Sequence, residues 1–460
     1  MTATEVPRSE PSGGGGGFDS WFKLSERGTT IGTEVKAGVT TFLVMAYIIF
    51  LNPNILVGMF PEGSAEAAAF IPAASAATAL LAGLLTIAMG IFANVPIALA
   101  AGLGINAIVA FFLVGVLGLT PAGAMGVIVL EGLIVLVLVI IGLREAIMGA
   151  VPLSLKRAIG VGIGLFILFI GFVDGGLIGQ GGAIIEFKFP NEVGPWLTLL
   201  GLGLTIVLWV RKVPAALLIS IVVMSIIAFI LGETTFPENM SFAPDLSTLG
   251  DFDLGNVWTL GGLTAVLTIF SIMLTDFFDT MGTATAISEQ AGQSDADGNV
   301  PNIGRILLVD SVAAAAGGAA GISSNTSYIE SAAGVAEGGR TGLTSVVTGI
   351  LFLLAVFVTP LASMVPFTAT APVLILVGYL MATLIKDINF DDVEEGLPAL
   401  FGIVLMPLTF SITVGIGAAF ITWVLIKVVR GKLADVHPLM WVVALAFVVY
   451  FAQTWLNSVF

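Results

Sequence analysis

About fourteen times between residues 36 and 429 the chain runs apolar for long enough to approach the thickness of a bilayer. A soluble fold has little use for such runs, because most of them lack the polar face that a surface helix turns to water. By hydropathy the passes fall at 36–56, 70–93, 96–116, 121–143, 154–174, 196–210, 214–231, 258–286, 304–320, 322–338, 341–361, 368–385, 397–410 and 414–429. A further apolar segment at 438–456 reads as an extra pass or an interfacial helix, with Trp441, Tyr450 and Trp455 suited to an aromatic belt. The fold class is therefore an all-α polytopic membrane protein of about 14 transmembrane helices.

Composition supports this and excludes other classes. The 460 residues are 57% hydrophobic and 10% charged, against roughly 25% charged in soluble proteins. The 56 Gly suit close helix contacts and broken helices in lipid. With no Cys and a single His, His437, thiolate chemistry and His-based metal sites are excluded. Without a Ser/His/Asp set or a nucleotide loop, an enzyme is not expected, and no cofactor or metal is. The net charge of −15 argues against a nucleic-acid partner. Residues 1–17, with the run Gly13–Gly17, read as a flexible tail and not a signal peptide. Residues 18–34 read as a short interfacial amphipathic helix.

With the N-terminus in the cytoplasm and the loops alternating, Lys188 alone of the 16 Lys and Arg falls outside. Arg144, Arg157, Arg211, Lys212, Arg305, Arg340, Lys386, Arg430 and Lys432 fall inside or near it, while Glu62, Glu186, Glu238, Asp245 and Asp253 face out. The acidic linker at 233–257 divides the passes into seven and seven, so the second half is expected as an inverted copy. Two short internal matches fit this plan. Thr40, Phe42 and Met45 share their spacing with Thr268, Phe270 and Met273, and Gly-rich backbone leads into Asn106 and again into Asn325.

Passes 3 and 10 open with poor helix formers, Gly102 and Gly104 in one, Gly317, Gly318 and Gly321 in the other. Short extended segments followed by half-helices, starting near Ile105 and Thr326, are expected there, with free N–H groups towards the midplane. Beside them lie carboxylates inside apolar sequence, which by default mark a substrate or proton path. Asp276 and Asp279 are three apart, with Thr280 and Thr283 continuing their helix face. Glu330 follows Tyr328 in pass 10. Glu131 has no evident partner. Asp310 is assigned a structural role, bonded to Arg305 or Ser311, and Asp295, Asp297 and Gly298 read as a turn that mimics part of a calcium loop.

These residues carry a resemblance. The run Asp276-Phe277-Phe278-Asp279-Thr280-Met281-Gly282-Thr283 and the longer run from Tyr328-Ile329-Glu330 to Arg340-Thr341-Gly342-Leu343-Thr344 resemble the AzgA-like purine permeases. That group lies within the nucleobase–cation symporter and xanthine/uracil permease superfamily. Met45–Pro53 and Gly102-Leu103-Gly104-Ile105-Asn106-Ala107 match as well. The resemblance implies two inverted seven-helix repeats that form a core domain (36–143 and 258–363) and a gate domain (144–232 and 364–430), with 431–460 as a C-terminal segment. It implies uptake of guanine, hypoxanthine or adenine by proton symport with alternating access, in a homodimer joined through the gate, in the plasma membrane. H+ is the expected coupling ion, with Na+ the alternative. Asp276, Glu330, Asn106, Tyr328, Thr283 and Asn325 are the expected base contacts, and Asp276, Asp279 and Glu330 the proton-coupling groups. The sequence departs from the family pattern at Ala101, Ile108 and Val109 and over Ile322-Ser323-Ser324-Asn325-Thr326, which bears on base preference. The competing expectation is an inorganic-anion carrier or channel of the same inverted-repeat fold.

Overall fold

The computed structural model describes residues 17–142, 150–181, 185–235, 243–294 and 300–459. Most of the 1–17 tail, Arg144, Glu238, the Asp295–Gly298 turn and the side chain of Trp455 lie outside them.

After α1 (Gly17–Phe22), the first span is broken into α2 (Ile31–Met45) and α3 (Ile48–Leu56), with Tyr47 at the break. Next comes α4 (Ala65–Ala88), which continues as a wider π-turn over Met89–Ala93. Strand β1 (Leu99–Ala101) feeds α5 (Leu103–Ala107), extended by Ile108–Val114. Then follow α6 (Pro121–Ile140), α7 (Leu153–Asp174), the small hairpin β2 (Ile178–Gly179) and β3 (Glu186–Phe187), α8 (Val193–Val210) and α9 (Ala216–Ile230). The linker carries α10 (Leu254–Val257). The second half comprises α11 (Gly262–Gln290), α12 (Ile303–Ala319), β4 (Asn325–Ser327), α13 (Ser331–Ala336), α14 (Gly342–Ala355), α15 (Phe367–Ala382), α16 (Val393–Thr409), α17 (Ile412–Val429) and α18 (Pro438–Val459). Nine described stretches are long and apolar enough to cross a membrane.

The two halves meet at the strands. β1 pairs antiparallel with β4, Leu99 opposite Ser327, Ala100 opposite Thr326 and Ala101 opposite Asn325. Gly102 N–H donates to Ser324 O at 2.8 Å, and Tyr328 N–H donates to Ala98 O at 2.9 Å. Short strands at membrane depth must find every backbone partner inside the protein, and here each strand is the other's partner. Both strands follow a left-handed residue, Asn94 (φ 52) before β1 and Ser323 (φ 71) before β4, so each chain reverses sharply after its preceding helix. An antiparallel crossing of equivalent segments is what inverted repeats produce. The first internal match is placed alike in the two copies, Thr40 in α2 and Thr268 in α11, each the first long helix of its half. The second is not: Asn106 lies inside the half-helix α5, whereas Asn325 lies in the strand. The second half-helix starts at Ser331 and not near Thr326, because Thr326 is held extended opposite Ala100.

Small residues let the copies interlock, as expected where packing rather than water exclusion joins helices. α4 lies so close to α14 that a Cβ on Gly349 would sit 2.5 Å from Gly83 O. The equivalent approach of α6 to α12 leaves a Cβ on Gly132 only 2.9 Å from Ala315 Cβ. The largest core side chains, among them Tyr47, Phe112, Phe166, Phe352 and Phe420, are fully buried.

The ends of the bundle are tied by polar groups. The segment at 18–34 is tied to the bundle. Its helical part is short, Phe22 and Leu24 pack on Leu343, and Arg27 donates to Asn94 O at 2.7 Å and Arg340 O at 2.9 Å. The linker docks too, with Asn256 Oδ1 accepting from Thr120 N–H at 3.1 Å. At the start of α16, ahead of its apolar run, Glu394 accepts from Lys427 (2.6 Å), Lys432 (2.5 Å) and Arg430 (2.8 Å). Those hydrogen bonds hold its carboxyl down at about 2. Its side chain is 9% exposed because the cations themselves cover it. The apolar segment at 438–456 forms α18, which packs on α17 through the edge-to-face pair Phe420–Phe447, centroids 6.2 Å apart.

Candidate functional site

The strand crossing gathers the polar residues. Along α11 a buried stripe of Asp276, Thr280 and Thr283 recurs at helical spacing and faces β4. β4 and its approach present hydroxyls to it. Ser324 donates to Asp276 Oδ2 at 2.9 Å, and the hydroxyls of Thr280 and Thr326 share a bond of 2.8 Å. Asp276 Oδ1 accepts no bond from any protein group. Asp279 flanks this stripe rather than continuing it. It is exposed at its surface yet within electrostatic reach of Asp276 and Glu330.

Glu330 caps the start of α13 and is half-buried. Tyr47, at the break between α2 and α3, donates to its Oε1 at 2.7 Å. One carboxylate comes from each half-helix neighbour, α11 and α13, and each has one oxygen held by a hydroxyl. A carboxylate so oriented turns its remaining lone pairs to a donor ligand. Asn106 on α5 is fully buried, and its amide N and O both lack a protein partner. The Tyr328 hydroxyl donates to Ala101 O, which pins its ring beneath the strand pair, and the residue is 6% exposed.

The structure sets Asn325 elsewhere than expected. Side chains alternate along a strand, so Ser324 and Thr326 face α11 while Asn325 and Ser327 face α12. The Asn325 amide packs against Gly317 of α12, behind the strand and not beside Asp276 and Glu330. Asp310 of α12 is not paired with Arg305 or Ser311. Its Oδ1 accepts Ser327 N–H at 3.0 Å and Ser327 Oγ–H at 2.8 Å, and its Oδ2 accepts from Thr280 at 2.7 Å. Arg305 instead reaches Phe92 O at 3.4 Å, and Ser311 bonds back to Leu307 O. Asp310 thus stitches β4 to α11 and α12.

Tyr47, Ser324, Thr326 and Ser327 are polar groups of this centre that residue-type reasoning passed over. Tyr47 falls in the Met45–Pro53 run that carries part of the resemblance, which was the available signal for the first. Hydroxyls in lipid-spanning sequence commonly bond their own helix, so nothing marked the others. Among the described residues no group of His, Cys, Asp and Glu has the arrangement of a metal site.

Comparison with known proteins places this geometry. Residues 32–418 match the model of the Permease family. The chain is 42% identical over 428 residues to the adenine permease AdeQ of Escherichia coli (strain K12), covering 93% of this chain and 94% of that protein. It is 38% identical over 443 residues to the guanine/hypoxanthine permease PbuG of Bacillus subtilis (strain 168), covering 94% and 99%. Among solved structures, the transmembrane domain of the cyanobacterial bicarbonate transporter BicA superposes with a TM-score of 0.58 at 16% identity, over 84% of this chain and 97% of that one. That last likeness concerns the fold alone.

Proposed function

We propose that this chain, which belongs to the Permease family, carries purine nucleobases into the cell by proton symport with alternating access. The observation that carries the reading is the pair Asp276 and Glu330, each anchored by one hydroxyl beside the strand crossing. The purine permeases among its relatives support the substrate class. Guanine offers N1–H and a 2-amino group on one edge, which a carboxylate can accept as a bidentate pair. Hypoxanthine offers N1–H alone, and adenine presents N1 as an acceptor that calls for a protonated carboxyl. Tyr328 is the proposed wall for the base, such stacking being worth about 1–3 kcal/mol. Asn106 and Thr283 complete the lining, Asp279 assists the proton, and Asn325 drops out of the contact set.

In this reading 36–143 with 258–363 moves as a core against a gate of 144–232 with 364–430, in a plasma-membrane homodimer with a cytoplasmic N-terminus. Entry of a proton down the membrane potential supplies roughly 2.3 kcal/mol per 100 mV. An anion carrier would want basic groups at the crossing, and acids occupy it instead.

The test is uptake of radiolabelled guanine, hypoxanthine, adenine and uracil into proteoliposomes, with protonophore and sodium-ionophore arms. Purine uptake that collapses with the protonophore is expected. Uracil outcompeting every purine would sink the substrate class, and collapse with the sodium ionophore alone would replace the proton.

A further inference from the structure

One fully buried carboxyl is left unused by the base-binding reading. Glu131 of α6 is fully buried where α6 packs along α12, and neither of its oxygens accepts a hydrogen bond from the protein. The titratable groups facing it are Asp276 on α11 and Asp310 on α12. The other segments packed on α6, α10 and Ile108–Val114, carry no titratable side chain. Among the described residues no Lys, Arg or His forms an ion pair with any of the three acids.

The three are not equivalent. Asp310 accepts three bonds, from Ser327 N–H, Ser327 Oγ–H and Thr280, the environment that favours a negative charge. Asp276 accepts one, from Ser324. Glu131 accepts none, and a buried charge without donors beside two other acids takes up a proton instead.

We propose that Glu131, buried on α6 against α12 within reach of Asp276 and Asp310, is the group that holds the transported proton, apart from the acids that meet the base. This rests on the proton-symport reading above and assigns its proton. The step is a simple proton transfer: an O–H bond forms on Glu131 from the outer solution and breaks to the inner one. Protonated, Glu131 removes a like charge from Asp276, which then stays anionic and accepts the base N–H. Deprotonated, it sets two negative charges against each other and disfavours the base. Proton and base therefore raise each other's affinity, as linkage requires.

The experiment uses the purified full-length protein and Glu131→Gln, the neutral isostere of a protonated Glu. The unaltered protein at neutral pH, with no base present, should show the infrared carbonyl band of a buried protonated carboxyl, and Glu131→Gln should remove it. In proteoliposomes the variant should lose accumulation driven by a pH gradient, its accumulation ratio falling to unity. Base-for-base exchange, which needs no net proton release, should continue, with its pH dependence flattened. A band that survives in the variant overturns the proposal, as does uphill accumulation with an unchanged pH profile. Failure of the variant to fold or to exchange also overturns it, since Gln mimics the neutral acid. The infrared arm involves no purine, so an unaltered protein that exchanges no purine counts against the substrate reading and leaves Glu131 tested by its own band.

Discussion

The two strands that cross at the centre have one geometry and two chemistries. β1 is Leu-Ala-Ala and β4 is Asn-Thr-Ser, paired residue for residue and both buried. Each is tied to the helix before it by a side chain that accepts one of its amides, Thr86 taking Leu99 N–H at 2.9 Å and Asp310 taking Ser327 N–H at 3.0 Å. On the first strand the Thr86 hydroxyl turns back to Leu99 O at 3.1 Å. On the second the tie continues through Thr280 and Thr326 to the stripe of Asp276. Inversion duplicates the backbone, because backbone amides must be paired in both copies. Polar side chains in hydrocarbon are costly, so one copy suffices to build a site.

The largest expected effect lies on the polar copy. Asp276→Asn or Glu330→Gln removes a charged acceptor while keeping shape, and purine uptake should fall about 10–100-fold, the loss expected of a hydrogen bond to a charged group. Normal uptake with a normal pH profile in both variants would end the proposed roles.

A direct contrast between the strands comes next. Asp310→Ala strands Ser327 N–H and the Ser327 hydroxyl, and Thr86→Ala strands Leu99 N–H. Each buried donor left unpaired costs about 1–3 kcal/mol, read as lowered thermal unfolding in detergent. Transport per folded molecule should drop for Asp310→Ala and stay close to normal for Thr86→Ala. Equal loss in both would erase the chemical asymmetry.

Backbone symmetry has its own test. Gly349→Leu on the α4–α14 contact and Gly132→Leu on the α6–α12 contact should each cost about 1–3 kcal/mol through overpacking. A large cost at one and none at the other would show that the interlocking is not shared by the repeats.

The smallest effect falls outside both strands, at the cation cluster on Glu394. Its folded-state carboxyl is lowered to about 2 from an ordinary value of 4.5, so its stabilisation is present above that ordinary value and lost as pH falls towards 2. The unaltered protein should unfold at a slightly higher temperature than Glu394→Gln near neutral pH, and the gap should close on acidification through that window. A gap that widens with acid would contradict the assigned direction.

Much of the centre was legible in the sequence, and the gaps have a common cause. Asp276, Asp279 and Glu330 stand out because acids in apolar runs have few reasons to be there. The breaks in passes 3 and 10 stand out because Gly clusters make poor helices. What stayed hidden depended on direction. In a strand, one residue of register turns a side chain to the opposite face, and Asn325 therefore went to α12 instead of joining Ser324. Tyr47 and Glu330 are far apart in the chain, and Asp310 found Ser327 and Thr280 rather than its near neighbours. No local pattern specifies such meetings.

By itself, then, the sequence determined a multi-pass helical membrane protein, its two-part plan and which acids stand in apolar sequence, since hydropathy and the cost of buried charge act on each segment alone. Only the tertiary structure decided which hydroxyl serves which acid, which face of β4 meets α11, and that Glu131 is left without a donor. Those facts follow from pairing the strands of two distant repeats, whose register is set by backbone hydrogen bonds that either half can make only with the other.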